Sequence, residues 1–305
     1  MLVLGATVAT LALGLPGEAD ADAPSTPTSS ARPGSATPSA PAADPTSEPA
    51  SDPAADPTDA PDALAPCDDP AVVDALSHGS DADVIAAVGG GEAFRAAVAS
   101  GEAPCIDLTE AGRTWVVVNK RNPLDPLDHW PTPQAQPDGI RVVSGGGWLR
   151  ADAAAALDDL AAAIVADGVG TLGVDSAFRP YSYQVELYNG YVSSRGQAAA
   201  DLRSARPGHS EHQTGLAVDV VACDGGCGSH DGFKGTPEAA WLVDNAWRFG
   251  FLVRYEDGET PTTGYSWEPW HLRFLGTELA AAYAEGGYAT LEDFFGLPAA
   301  PDYGG

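Results

Sequence analysis

Basic residues are scarce in this sequence of 305 residues, which has 15 Lys and Arg against 43 Asp and Glu. The formal net charge of -28 repels phosphate backbones and anionic lipids, because proteins bind both through clustered Lys and Arg. We therefore expect no nucleic-acid partner. No feature of the sequence specifies an oligomer, so a monomer is the favoured expectation.

The sequence also lacks an apolar run of the roughly 20 residues that a membrane-spanning helix requires. Residues 2–15 are apolar, but Pro16 and Gly17 end the run, and small-residue cleavage sites follow. This is the length of the apolar region of a signal peptide. We interpret residues 1–23 as a signal peptide, which predicts export and a mature chain without a membrane span.

Bulky apolar residues are absent between residues 24 and 63, which consist mainly of Pro, Ala, Ser, Thr and Asp. Such a segment cannot bury enough surface to offset the chain entropy lost on folding. We predict a disordered linker over residues 24–63.

Residues 64–107 carry apolar side chains at helical spacing and predict a small helical unit. The recurring positions are Val72, Val73, Leu76, Val84, Ile85, Val88, Phe94, Ala97 and Val98, and glycines at 89–91 separate the last two helices. This unit contains no chemical motif, so we interpret it as an accessory cap. The remainder, residues 108–305, is assigned to one main domain.

Cysteine occurs only four times. Cys67 and Cys105 bracket the helical unit, and Cys223 and Cys227 close a tight loop, so pairing within each set is the simplest of the three connectivities. A four-cysteine zinc site is the alternative, but the first two cysteines lack the close ligand spacing of such sites. Two disulfides are therefore expected, which fits an oxidising compartment.

The main domain mixes strands and helices without a regular βαβ alternation, which predicts an α+β fold. The predicted strands are residues 115–118, 171–178, 216–222, 251–255 and 270–274. The predicted helices are residues 151–166, 182–192, 197–204 and 238–249, with two more near the C-terminus.

One stretch, residues 208–219, combines an imidazole and a carboxylate that suit zinc. On a continuous strand His212 and Asp219 would face opposite sides, because side chains alternate. Gly215 between them can bend the backbone so that both point into one pocket. Asp219 is a charge within an apolar run, and a buried carboxylate needs a partner such as a metal ion.

The second chemical element is the Glu268-Pro269-Trp270-His271 segment. His271 is the expected third ligand, and three protein ligands plus one open position distinguish a catalytic zinc from a structural one. Glu268 is close enough in sequence to act as general base on a water molecule. A single His or Asp is more often a surface, core or turn residue, so the prediction depends on the conjunction.

These residues resemble the zinc D-Ala-D-Ala carboxypeptidases of the VanY type, which are relatives of the VanX dipeptidases. The matching pattern is Ser-x-His-x-x-Gly-x-Ala-x-Asp followed by Glu-x-x-His, carried here by Ser210, His212, Gly215, Ala217, Asp219, Glu268 and His271. Residues 175–184 resemble the family's Ser-x-x-Arg-x-x-x-x-Gln segment, and residues 117–120 resemble its opening strand. The resemblance spans about residues 108–276.

The resemblance implies a Hedgehog/DD-peptidase-like α+β fold, with a central antiparallel sheet, flanking helices and one catalytic domain. It implies one catalytic Zn2+ bound by His212, Asp219 and His271, with Glu268 as base and then acid. The resemblance further implies that Arg179 stabilises the scissile carbonyl. It implies that Ser210 and Gln184 hydrogen-bond the substrate. Pocket walls would be formed by Tyr183, Trp267 and Trp270. The aromatic residues also suit a purely structural role in the core.

The implied activity is removal of the terminal D-Ala from peptidoglycan stem peptides by a secreted, extracytoplasmic, cell-wall-associated enzyme. An L,D-carboxypeptidase or a cross-link endopeptidase would use the same metal centre. A non-catalytic wall-binding module is a further alternative, since the Hedgehog signalling domain resembles these peptidases, but such a module needs neither Glu268 nor Arg179. His209 and His230 are expected around the site or on the surface, and the position of His129 is left open.

Overall fold

The computed structural model describes residues 64–304, in which five strands form a central sheet. Numbered along the chain, the strands are β1 Gln134–Ala135, β2 Arg141–Val142, β3 Leu149–Arg150, β4 Leu172–Ser176, β5 Ala217–Ala222, β6 Phe251–Tyr255 and β7 Glu268–Phe274. Their order in the sheet is β2-β4-β5-β7-β6, and β1 pairs separately with β3. The expected signal peptide and linker lie outside the described residues.

The pairings within the large sheet are antiparallel except that β2 runs parallel to β4. The predicted α+β class, with a central sheet and flanking helices, is confirmed. The sheet is mixed rather than wholly antiparallel, because the two-residue edge strand β2 joins it in the parallel direction.

Helices cover the sheet and also lie near both ends of the described chain. They are α1 Pro70–His78, α2 Asp81–Val88, α3 Gly91–Ser100, α4 Ala151–Ala166, α5 Tyr181–Arg195, α6 Gln197–Asp201, α7 His230–Phe233, α8 Pro237–Asn245, α9 Thr260–Thr263, α10 Thr277–Glu285 and α11 Leu291–Phe294. The predicted helix 238–249 ends earlier, because its last turn is a 3-10 turn that Gly250 closes with a φ of 81°. Among residues 64–304, none of these helices combines the length and apolar character needed to cross a membrane.

The apolar residues form two buried clusters. The first joins the central sheet to α4 and α8, and the second joins α2 and α3 to α10 and α11. Phe94 of α3 lies in the second cluster, with its ring 5.1 Å from that of Trp115. Gly91 begins α3 where a Cβ would collide with the backbone oxygen of Glu278. The helices of residues 64–107 therefore pack closely on the C-terminal helices.

Both expected disulfides are present, Cys67–Cys105 and Cys223–Cys227. This pairing uses all four cysteines of the described chain and rules out the four-cysteine zinc site. Paired cysteines are consistent with an extracytoplasmic location.

The predicted strand at residues 115–118, and with it the expected opening strand at 117–120, is wrong, because this stretch pairs with no strand of the described chain. It is nevertheless buried. A side chain replaces the neighbouring strand: the Arg273 Nη2 donates to the carbonyls of Thr114 and Val116, each at 2.8 Å. The carbonyls of Thr114 and Val116 are thus satisfied without a ladder.

The packing of the two helical ends predicts that Phe94→Ala lowers the free energy of unfolding by about 3–5 kcal/mol, because it removes a fully buried ring and leaves a cavity. Urea denaturation followed by circular dichroism measures this change. Val73→Ala, at an exposed position of α1, is the control and should change stability by no more than about 0.5 kcal/mol. Equal small effects of both substitutions would contradict the packing described.

Candidate active site

Sheet register and one turn bring together three side chains that could hold a metal ion. Asp219 of β5 pairs directly with His271 of β7. His212 lies before β5 on the 3-10 turn Glu211–Thr214, which Gly215 ends with a φ of 70°. A Cβ at Gly215 would lie 2.9 Å from Pro131 Cγ, so glycine is required there. As the sequence predicts, the chain bends at Gly215 and turns His212 towards Asp219.

The three donors are buried and mutually close. His212 Nε2 lies 3.2 Å from Asp219 Oδ2, and His271 Nδ1 lies 3.1 Å from Asp219 Oδ1. Within residues 64–304, one ligand atom from each of the three residues lies within 4.8 Å of the others. Two imidazole nitrogens and one carboxylate oxygen are the ligand types that zinc prefers.

Hydrogen bonds fix which nitrogen of His212 faces the site. Its Nδ1 lies 2.8 Å from the Ala177 carbonyl oxygen, which can only accept, so Nδ1 carries the proton. The Nε2 atom is then a bare lone pair, buried and without a hydrogen-bond partner in the described chain. An orphaned lone pair beside a buried carboxylate fits a zinc ion.

The two histidines differ in protonation. Burial, reinforced by the positive charge of Arg179, lowers the pKa of His212 to about 4. Burial also acts to lower the pKa of His271, but hydrogen bonds to Asp219 and Glu211 outweigh it and raise that pKa to about 9. A metal ion at this site therefore competes with a proton on His271.

Glu268 faces the same site because β7 is irregular. On a regular strand Glu268 and His271, three positions apart, would point to opposite faces. The pairing of β7 with β6 shifts register beside Glu268, where Pro269 cannot donate a ladder hydrogen bond. Both side chains consequently line one cavity of about 40 Å3. Burial raises the pKa of Glu268 to about 7, although the charge of His271 opposes the shift.

Arg179 follows β4 and is held from two sides. Its Nη2 lies 3.2 Å from Asp219 Oδ2, and its Nη1 donates to Gln184 Oε1 at 3.3 Å. The Nε donor is buried without a partner among the described residues. Arg179 thus lies against the metal donors with one hydrogen-bond donor still available.

Glu211, which no sequence motif singled out, contacts the ring nitrogen of His271 that does not face Asp219. Glu211 is fully buried, and its Oε2 lies 3.2 Å from His271 Nε2. Its other oxygen accepts from Arg254 Nε at 2.9 Å and lies 3.3 Å from Arg273 Nη1. These two guanidinium groups hold the pKa of Glu211 below its usual range despite burial. Glu211 therefore accepts the Nε2 proton of His271 and leaves Nδ1 facing Asp219.

A cleft of about 530 Å3 opens above the metal donors and is lined by Asp219, Glu268, Arg179, Tyr183 and Trp270 among others. Tyr183, on α5, is 51% exposed and forms a rim of the cleft. Trp270 is buried in its wall.

The two other residues predicted to bind substrate lie deeper. Ser210 lines the small cavity beside His212. Gln184 is fully buried behind Arg179, and its Nε2 donates to the Ala205 carbonyl at 2.7 Å. Gln184 thus contacts Arg179 and the 204–205 backbone.

The remaining histidines lie outside the group of three donors. His230, on α7 after the Cys223–Cys227 loop, stacks on Trp270 at 5.1 Å and forms part of the cleft wall. His209 Nδ1 lies 2.8 Å from the Asn119 carbonyl oxygen. Burial lowers the pKa of His129, which lies in the loop before α4.

Three buried donors, an adjacent carboxylate with a raised pKa and an open cleft define a mononuclear metallohydrolase type of site on an α+β domain. Residues 146–277 match the family described as VanY, D-alanyl-D-alanine carboxypeptidase.

Individual relatives agree with this match. YodJ of Bacillus subtilis is 36% identical over 148 residues, 48% of this chain and 54% of that protein. The D-alanyl-D-alanine carboxypeptidase of Enterococcus faecalis is 35% identical over 176 residues, 54% of this chain and 59% of that protein. The chain thus spans little more than half the length of these two relatives.

A solved structure, that of the LdcB LD-carboxypeptidase, is 33% identical and superposes with a TM-score of 0.55. The superposition covers 60% of this chain and 85% of that chain. The chain belongs to the VanY D-alanyl-D-alanine carboxypeptidase family, as the motif residues predict.

The contact between Glu211 and His271 predicts that Glu211→Gln weakens zinc binding by about 10- to 100-fold, because the carboxylate orients the imidazole and raises its basicity. Competition with a chromogenic chelator measures the affinity directly. Glu285→Gln, at an exposed position on α10, is the matched control and should bind zinc like the unaltered protein. An unchanged affinity in a folded Glu211→Gln variant would contradict this role.

Proposed function

We propose that this protein is a zinc-dependent carboxypeptidase that removes the terminal D-Ala from peptidoglycan stem peptides outside the cytoplasm. The observation that carries the proposal is the buried group of His212, Asp219 and His271 with Glu268 and Arg179 on the same cleft. The names of the relatives in Enterococcus faecalis and of LdcB support a peptide substrate with a free carboxyl end. The two disulfides support the location.

His212, Asp219 and His271 are the residues that would hold zinc. A zinc ion bound there supplies Lewis-acid activation of a water molecule and polarisation of the scissile carbonyl. Glu268 accepts the proton that the attacking water loses and returns it to the leaving amine. A pKa of about 7 for Glu268 suits both transfers, because a group that must accept and then donate works best near the working pH.

Arg179 stabilises negative charge that develops on the scissile carbonyl oxygen. Its guanidinium is held by Asp219 and Gln184, so little reorganisation is needed when the charge appears. Gln184 acts here through Arg179, as a positioning residue. Ser210, beside His212 in the small cavity, is placed to hydrogen-bond the end of the substrate.

An L,D-carboxypeptidase is the second candidate. The likeness to LdcB, named as an LD-carboxypeptidase, favours it. Both activities need the same donors and base, so only the residues that contact the substrate beyond the scissile bond separate them. A non-catalytic wall-binding module is disfavoured, because it has no use for a half-buried Glu268 beside three side chains that could hold a metal ion.

The direct test is incubation of the purified protein with a stem pentapeptide ending in D-Ala-D-Ala and, separately, with the tetrapeptide ending in one D-Ala. Products are followed by mass spectrometry with and without a chelator. Loss of one alanine from the pentapeptide, abolished by chelation and restored by zinc, is expected. Cleavage of the tetrapeptide alone would establish the L,D-activity instead, and no cleavage of either by zinc-loaded protein would refute a carboxypeptidase function.

Substitution of the proposed base, Glu268, and of a proposed zinc ligand, His212, should affect zinc binding differently. Glu268→Ala should retain zinc but lose about 100- to 10,000-fold in turnover, because it removes general acid–base catalysis alone. His212→Ala should lose both zinc and turnover. Zinc content by atomic absorption and peptide turnover are measured on the same preparations. Near-native turnover in Glu268→Ala would show that another group is the base.

A further inference from the structure

We propose that Arg203 recognises the terminal carboxylate of the substrate, and that Asp231 holds Arg203 in the free enzyme. This inference rests on the proposed carboxypeptidase function. It assigns a specificity-determining residue outside the motifs and a role for the segment that follows the Cys223–Cys227 disulfide.

The position of Arg203 is the first observation. Four residues line both the open cleft and the small cavity beneath it: Arg179, Arg203, Ser204 and Glu268. They mark the boundary between the two spaces. A peptide bond beside Glu268 therefore leaves the C-terminal residue within reach of these side chains.

The guanidinium groups of Arg179 and Arg203 differ in how many of their hydrogen-bond donors are already engaged by the protein. Arg179 is engaged by Asp219 and Gln184. Arg203 makes no side-chain hydrogen bond within residues 64–304, and its ion partner there is Asp231, with Arg203 Nη2 3.7 Å from Asp231 Oδ1. The Asp231 side chain is 86% exposed and that of Arg203 is 43% exposed. An exposed pair at this distance is weak and readily exchanged.

The backbone around Arg203 is fixed, although its side chain is partly exposed. The Leu202 carbonyl accepts from the Ser266 N–H at 3.3 Å. The Ala205 carbonyl accepts from Gln184 at 2.7 Å. The backbone is thus anchored one residue before and two residues after Arg203, whose side chain lines the cleft.

The charge of the cleft explains why such a residue is needed. Its lining contains three carboxylates, Asp175, Asp219 and Glu268, against the guanidinium groups of Arg179 and Arg203, and the protein as a whole is strongly acidic. A peptide with a free carboxylate is repelled by this surface unless a cation receives it. A guanidinium can bind a carboxylate through two parallel hydrogen bonds. In the free enzyme the carboxylate of Asp231 takes the place of that of the substrate.

The test compares two peptides that differ only at the recognised group, a stem pentapeptide ending in D-Ala-D-Ala as the free acid and as the carboxamide. Arg203→Gln should lower kcat/KM for the acid by about 10- to 100-fold, because it removes a charge-assisted contact. It should leave kcat/KM for the amide nearly unchanged, so that the preference for the acid collapses. Arg203→Lys should recover part of that preference, since the charge returns without the bidentate geometry.

Asp231→Asn should lower KM for the acid in the unaltered background and have no such effect in Arg203→Gln. Arg248→Gln, which removes an exposed positive charge from the 3-10 turn before Gly250, is the control and should keep the preference of the unaltered protein. An unchanged preference in Arg203→Gln, or equal losses on acid and amide, overturns the assignment. Failure of the unaltered zinc-loaded protein to cleave either peptide refutes the proposed function itself, which distinguishes the two cases.

Discussion

The rest of the structure depends on the ion pairs that the buried carboxylate of Glu211 forms. This carboxylate lies between His271, a metal donor, and the guanidinium groups of Arg254 and Arg273. Removing one member of such a buried group leaves an uncompensated charge and typically costs about 3–5 kcal/mol. Positioning of the metal donor and stability of the sheet therefore depend on the same charges.

The two arginines extend this network to distant parts of the chain. Arg254 bonds Glu292 of α11 through both terminal nitrogens, at 2.8 and 3.0 Å. Glu292 in turn accepts from Asn119 Nδ2 at 2.9 Å. Through Arg273, the stretch at 115–118 is also held to the sheet. A C-terminal helix and a segment before the first strand thus share the charges that orient His271, although neither contributes a metal donor.

Sequence patterns predicted the parts of the structure that depend on local chemistry. Strand 251–255 and helix 151–166 have the predicted bounds, because a short apolar run and helical periodicity are local properties of the sequence. The sequence marks Asp219 as a charge within an apolar run, for which a metal ion is one possible partner, and the structure also gives it Arg179 as a partner. The same reasoning marks Arg254 and Arg273, which also interrupt apolar strands, but not their partner. Glu211 lies on a turn, and its burial depends on strands more than 40 residues away. Residues 115–118 have the composition of a strand, yet the Arg273 side chain, rather than a neighbouring strand, bonds to the backbone there.

The residues proposed to carry out the reaction and the residues that form the cleft walls lie on different structural elements. The proposed metal ligands, the proposed base Glu268 and the buried Glu211 lie on β5, β7 and the adjoining turn, where register and charge pairing leave little freedom. The cleft walls come from other elements: Tyr183 on α5, and His230 on α7 stacked against Trp270. Changes in these walls need not disturb the donors, because Glu211 fixes His271 from the opposite side. We therefore expect the cleft walls, rather than the three proposed metal ligands, to determine which peptide end this protein accepts.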